Sequence, residues 1–533
     1  MTTKTFTSKG IFTILMVVTI MLQVIAAFYF CTQKQGFHYD ENYSYYSSNV
    51  TAGLAPTDGE WMDSNEISDE FMVTDGMGYS YGMVVLMQTF DVHPPLYYLV
   101  LHTVCSLTPG VFSKWQGLSV NLFFFILSII MLWAIADIVG RKNKYVTFFT
   151  TAIFGFSPAV LSGVTFVRMY MMLTFWCLLS LYIHIRNLSR KRTFFNCYFP
   201  IFLTTFLGFM THYYFVVFLF FMAAYMTIVL FAKKETRKDS FLYAGSVLAG
   251  MILTVAIYPS CLSHIFRGYR GTEAIGAFFD LGNLVERASL FVGLLDEYLF
   301  CKTFYPIILI LVLLLLTYWY MKKRGTIEAL SEYKNPEISL CIVVTVGYFL
   351  VVLKTALLNA EEAVRYELPS YGLIILLIVI AVIMLIEAVG TKRSLRIRKA
   401  VTIMILSVVI AAEAYSLFNQ NVLFLYPEDA ENEQWALERS DKSVVYIYNY
   451  ENSWMIWDSA HELEQYDRIY YINMDNQDMI TDADICSSDE IIVYAARDER
   501  SMQIIDRILE SNSHISDIEK VRELLYADVF VLK

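Results

Sequence analysis

Charge is what this chain has least of. Only 17% of its 533 residues are charged, against 56% hydrophobic, where soluble domains average about 25% charged. That balance excludes an ordinary soluble enzyme. A basic surface is missing as well. The formal net charge is −11, and nucleic-acid binding wants clustered Lys and Arg, so no nucleic-acid partner is expected. The eight cysteines lack paired spacing, so neither a disulfide framework nor a metal cluster is legible. Cys31, Cys261, Cys301 and Cys486 are those open to an oxidising side, and most read as small hydrophobes in or near the bilayer. No Gly-rich loop follows any strand pattern of residues 421–533, which excludes a recognisable nucleotide site there.

What replaces charge is long apolar runs. The mean hydropathy is +0.48, and many segments reach the roughly 20 apolar residues that a bilayer needs. The run from Ile11 to Phe30 reads as a retained first span. It lacks a clean small-x-small cleavage site, although the Ala26-Ala27 pair would suit a signal peptide. Basic clusters lie at Arg141 to Lys144, Arg186 to Arg192, Lys233 to Lys238, Lys322 to Arg324 and Lys392 to Lys399. The positive-inside rule places most of them, and the N-terminus with Lys4 and Lys9, in the cytoplasm. The first span then runs outward. A second is expected from Pro95 to near Thr108 and a third over 115–139. Later spans are expected over 241–258, 304–320, 338–356, 369–389 and 400–418, with an external loop at 259–303. Two readings of 145–185 stay open. The pieces 145–161 and 166–185, parted by Pro158 and Gly163, form one net crossing with a broken or re-entrant part, or the Arg141 cluster is outside. Residues 197–231 read as two spans meeting at Thr211-His212-Tyr213-Tyr214. The expectation is a polytopic α-helical protein of the cell membrane with about 11–13 spans, its C-terminal domain extracytoplasmic.

Two segments are polar. Residues 31–93 carry ten acidic side chains and one Lys, so they form an extracytoplasmic loop within a membrane domain spanning 1–420. Residues 421–533 carry 25 acidic and 9 basic side chains, a net of −16, which leaves +5 for the rest. Strand patterns at Val444 to Tyr448, Asp467 to Ile472, Ile491 to Tyr494 and Val529 to Leu532 alternate with helical periodicity at Ser501 to Ser511 and Ser516 to Tyr526. That suggests a small α/β accessory domain with a largely parallel sheet.

Ionisable groups at the mouth of a membrane bundle are costly to place and are functional candidates by default. Asp40 and Glu41 are adjacent and cannot point the same way in extended chain. One suits a general base, the other an orienting or metal-holding role, and both also read as plain surface acids. Asp91 and His93 precede Pro94-Pro95, a pair that fits a helix's first turn, where orphan amides favour an anion. Simple capping by Asp91, with His93, Tyr97 and Tyr98 as interface anchors, is the other reading. Arg168, Lys354, Arg365 with Tyr366, Glu361 and Glu362, and Arg267 and Arg270 are cations and neighbours suited to a phosphate, or to snorkelling to headgroups. His212 sits at a helix end.

Tyr39-Asp40-Glu41, Asp91-Val92-His93-Pro94-Pro95-Leu96-Tyr97-Tyr98, Val167-Arg168-Met169-Tyr170, Thr211-His212-Tyr213-Tyr214 and Arg365-Tyr366-x-Leu368-Pro369 occur in this order. Together, over about residues 10–420, they resemble the bacterial family 39-like membrane glycosyltransferases of the protein O-mannosyltransferase and aminoarabinose transferase superfamily. The resemblance implies the GT-C fold and inverting transfer of a sugar from a polyprenyl-phosphate donor to an extracytoplasmic acceptor: a protein, a cell-wall polymer or a glycolipid. It implies Asp40 as the base or acceptor-contacting carboxylate, Glu41 as its neighbour, His93 as a shaper of the donor pocket, and Arg365 with Arg168 as phosphate holders. Relatives often carry an acid before that Arg where this chain has Val167, which leaves Arg168 open. A divalent metal is permitted by Asp40, Glu41 and Asp91, without visible ligand geometry. Two other classes are a lipid-linked sugar transporter or flippase and a non-catalytic scaffold. Against the first, charges gather in external loops rather than mid-span pairs. Against the second, five motifs co-occur.

Overall fold

A computed structural model describes residues 8–50, 53–280, 282–326, 335–390, 393–476 and 478–533. Lys4 and Lys392 of the basic segments lie outside them. The chain divides into two compact units: Met1–Thr32, Gln88–Tyr97 and Leu118–Leu423, and Gln33–Met87, Tyr98–Gly117 and Phe424–Lys533.

The first unit is helical. Among the described residues, ten helices are long and apolar enough to cross a membrane, and a bent pair, Lys144–Phe156 with Pro158–Thr165, makes up to eleven. This is a multi-pass membrane protein. The 50° bend has a local cause. Pro158 has no amide hydrogen and drives the residue before it out of the helical region, and Ser157 sits at φ −65°, ψ 128°. The chain breaks again at Phe166–Met169, before the Tyr170–Leu188 helix. Asn121 holds this second break by donating to the carbonyls of Val164 (3.1 Å) and Phe166 (2.6 Å). Farther on, the Phe199–Thr211 and Tyr214–Ala232 helices meet at His212 and Tyr213. Gly208 lets the joint close, because a Cβ there would lie 2.4 Å from the Phe215 ring.

The span expected from Pro95 to Thr108 is not one. The helix there is Leu96–Cys105, ten residues, about 15 Å at 1.5 Å per residue against a hydrocarbon core of about 30 Å. Its apolar pattern is real, but Thr108-Pro109-Gly110 follows too soon.

The second unit carries a six-stranded sheet, β1 (Glu60–Asp63), β2 (Ser443–Tyr448), β3 (Arg468–Asn473), β4 (Ile491–Ala496), β5 (Ile518–Glu523) and β6 (Ala527–Leu532), in the order β1-β3-β2-β4-β6-β5. The sheet is mixed, not largely parallel. Only β2–β3 and β2–β4 run parallel, while β1–β3, β4–β6 and β5–β6 are antiparallel. The 516–526 stretch, expected as helix, contains β5. It is an edge strand with an exposed pattern and a register shift between Lys520 and Arg522, and the shift disguises its period of two. Val445, Ile447, Ile472, Ile491 and Val493 form the core with Ile504, Ile505 and Ile508 of the Glu499–Ser511 helix. β1 comes from the acidic 31–93 loop and pairs Glu60 with Tyr471 through Asp63 with Arg468.

Candidate active site

In the second unit the Tyr39–Asn49 helix presents Asp40 and Glu41 in its first turn, where the helix dipole favours negative charge. His38 caps it. Its Nδ1 accepts from the Asp40 amide (3.1 Å), while its own amide donates to Glu41 Oε2 (2.7 Å). The two carboxylates are thereby separated. Glu41 is fully buried and paired with the equally buried Lys34 at 2.9 Å. Lys34 also donates to the Phe424 carbonyl (2.7 Å) and lies 5.1 Å from the Tyr426 ring. Asp40 keeps 22% of its side chain exposed and lies 3.8 Å from His38 Nδ1.

The surroundings of this turn are acidic. The Asp429 carboxyl packs against Gly36, where a Cβ would fall 1.6 Å from Oδ2. Burial pushes Asp429 up to about 7, aided by Glu428, Glu462 and Asp458 and opposed by Lys34. Burial likewise raises Asp458. His461, stacked on Phe37 at 5.3 Å, is pushed down to about 4 by burial and by Lys34 and Lys114.

Asp429 yields a test. A carboxyl raised on folding holds its proton more tightly in the folded chain, so folding stability falls as pH rises from the ordinary carboxylate range through about 7. Asp429→Asn is expected to flatten that decline. Thermal unfolding in detergent at about pH 5 and about pH 8 should show a smaller drop for the variant than for wild type. Equal drops would remove Asp429 from the account.

The first unit gathers the other group. Asp91 and His93 pair at 3.2 Å. Burial works to raise Asp91, but the charge and hydrogen bond of His93, then Arg168, bring it down to about 2. The His93 ring lies 5.7 Å from His212, which lies 5.5 Å from Tyr170 and 5.1 Å from Tyr214. Tyr366 completes the cluster at 5.7 Å from Tyr170 and 6.2 Å from Tyr214. Burial holds His212 well below the usual imidazole range, with His93 and Arg168 acting the same way, so it serves as a neutral hydrogen-bonding group. The Arg365 guanidinium lies 5.0 Å from the Phe166 ring and 5.2 Å from Tyr366, with Glu362 at 3.7 Å. Arg168 lies in the Phe166–Met169 break, buried.

The structure thus brings Asp91, His93, Arg168, His212, Arg365 and Tyr366 into one neighbourhood. Lys354 instead donates to the Asp280 carbonyl. Tyr97 is fully buried, Arg267 is exposed, and Arg270 pairs with Glu273 at 3.0 Å. Among the described residues no three His, Cys, Asp or Glu side chains are grouped to hold a metal ion. Four participants escaped the sequence reading. Tyr170 and Tyr214 sat inside quoted motifs without a role. His264 takes the Tyr213 hydroxyl at 2.8 Å. Arg287, buried, donates to the carbonyls of Leu353 (3.2 Å) and Ala356 (2.6 Å). No motif announced these last two.

This helical architecture with its sheet-bearing second unit is the GT-C fold. Among solved structures, the chain matches ArnT from Cupriavidus metallidurans bound to undecaprenyl phosphate with TM-score 0.51 and 10% identity, over 97% of both chains. The apo state of that ArnT gives 0.46 at 8% identity, over 92% of this chain and 96% of that one. The archaeal oligosaccharyltransferase AglB from Archaeoglobus fulgidus, in complex with an inhibitory peptide and a dolichol-phosphate, gives 0.45 at 9% identity, over 86% of this chain and 64% of that one. At such identities the likeness is one of fold. No protein-family model matches the sequence, and no curated protein matches it.

Proposed function

We propose that this protein is a membrane glycosyltransferase, family 39-like, that moves a sugar with inversion from a polyprenyl-phosphate donor to an extracytoplasmic acceptor. One observation carries the reading. Count the bent pair as one crossing and the Leu96–Cys105 helix as none, and the described residues give eleven crossings by length and composition. All five basic clusters then fall on one side, and Asp40, Asp91, His93, Arg168, His212 and Arg365 on the other. By the positive-inside rule the second side is extracytoplasmic. The parity conflict over 145–185 disappears in this count, with the N-terminus cytoplasmic and the C-terminal domain outside.

The parts suit the chemistry. A lipid phosphate is an ionised leaving group that needs no strong general acid. The protein must supply a base for the acceptor hydroxyl, cations for the phosphate and a dry pocket. Asp40 is the base. Arg365 and Arg168 hold the phosphate, and His93 with neutral His212 shape the donor pocket among Tyr170, Tyr214 and Tyr366. Undecaprenyl phosphate, the ligand of the ArnT structure, is the model for the donor's lipid. Fold analogy alone does not assign function, so the site residues carry the weight.

The test is release of polyprenyl phosphate by purified protein from a panel of polyprenyl-phosphate sugars, with membrane extract as acceptor source. Release from one donor, weakened by Arg365→Lys because an ammonium cannot reproduce the bidentate fork, is the expected outcome. No release from any donor by folded protein would move the reading to a transporter or scaffold.

A further inference from the structure

The sheet of the second unit has a cleft that Asp40, Arg168 and Arg365 do not line. It holds about 480 Å³, within the range of small-ligand sites. It opens at the carboxyl end of β4, where the Glu499–Ser511 helix begins. β2 lies parallel to β4 on one side and β6 antiparallel on the other, and the cleft is lined from β4, β6, the edge strand β5 and the start of the helix. Ala495 and Ala496 leave the floor open, and Met502 and Phe530 give it apolar contact.

Ser501 is the telling residue. It heads the helix's buried face, in line with Ile504, Ile505 and Ile508. An apolar side chain is expected at such a position. Ser501 is only 2% exposed, lines the cleft, and its hydroxyl has no hydrogen-bond partner among the described residues. A buried hydroxyl without a partner carries an uncompensated desolvation cost, which a ligand would relieve. The polar wall is mixed in sign. Arg497 sits between Asp528 (2.9 Å) and Glu523 (3.4 Å), and Asp498 and Glu499 add two more acids at the rim. Lys520 also pairs with Glu523 and Asp528, and Arg500 with Asp498, so the wall is polar but nearly balanced in charge and suits an uncharged ligand. Carboxylates that accept, an Arg and a Ser that donate, and an apolar patch together match a neutral saccharide, with hydroxyls on its edge and a C–H face.

We propose that this cleft is a saccharide-binding site, holding the acceptor or product glycan of the reaction proposed above. The choice of a saccharide rests on the glycosyltransferase reading. Binding is tested on the full-length protein in detergent by titrating chitotriose, mannotriose and maltotriose, with glucose 6-phosphate as the anionic comparison. At least one neutral trisaccharide should bind with a Kd of about 1 mM or tighter. Ser501→Leu, which fills the cleft, should weaken it at least about tenfold, and Ser501→Ala, which keeps the packing, should weaken it about threefold or more. The phosphorylated sugar should not compete. Failure of all three to bind, or equal binding by wild type and both variants, overturns the proposal. Polyprenyl-phosphate release is measured on the same samples. Saccharide binding without release from any donor sinks the transferase reading and leaves the cleft standing. Release without saccharide binding does the reverse.

Discussion

Asp40→Asn is expected to lower sugar transfer by about 10²–10⁴-fold, the range for loss of a general base, with the fold unchanged. The substitution keeps size and shape. The cap of its helix uses the Asp40 backbone amide, not its carboxylate, so the first turn survives. What the proposed mechanism loses is its proton acceptor for the incoming hydroxyl. Asp40 suits that role because it remains partly exposed, at 22%, while neighbouring Glu41 is wholly buried in its pair with Lys34. The measurement is single-turnover release of polyprenyl phosphate, beside thermal unfolding of the same preparation. Activity within about twofold of wild type, in a folded variant, would remove Asp40 as the base. Loss of both activity and thermal transition would make its role structural.

Much of the membrane unit was legible because its signal is long and one-dimensional. Expected spans at 304–320, 338–356, 369–389 and 400–418 meet helices Phe304–Lys323, Pro336–Thr355, Leu368–Val389 and Leu395–Phe418. The error at Leu96–Cys105 came from counting apolarity without length. Without that crossing, the bent pair and the Tyr170–Leu188 helix carry the basic clusters to alternate ends as the positive-inside rule asks. Pairing across long sequence separations left no such trace. β1 is four residues inside an acidic loop, too short for alternation to announce it, and it finds its partner about four hundred residues away in β3. Local motifs placed Asp91, His93 and His212, whereas Arg287 is defined only by the carbonyls that surround it in the fold. Lys34 had a usable signal. A lone Lys among ten acids invites a search for the acid it neutralises.

That pair carries the second large effect. Glu41→Gln is expected to destabilise the protein by about 3–5 kcal/mol, the cost of breaking a buried ion pair from one side. The amide oxygen of Gln can still accept the His38 amide hydrogen, so the capping contact is retained and the loss isolates the charge. Lys34 would then lie buried against Phe37 and Tyr426, with the Phe424 carbonyl but without its carboxylate. Removing the second charge should restore much of the loss, because a buried pair replaced on both sides leaves no uncompensated ion. Lys34→Met in the Glu41→Gln background is therefore expected to be more stable than Glu41→Gln alone. Hydrogen exchange across the Tyr39–Asn49 helix reads the effect where it arises, and denaturant unfolding gives its size. A loss below about 1 kcal/mol would mean a solvated pair. A double variant no better than the single would mean that the lysine stem, not its charge, is what the fold requires. The pair also reaches Asp429, whose proton Lys34 helps to remove. Lys34→Met should therefore move the pH-dependent loss of stability to higher pH, a shift that a purely steric role for Lys34 would not produce.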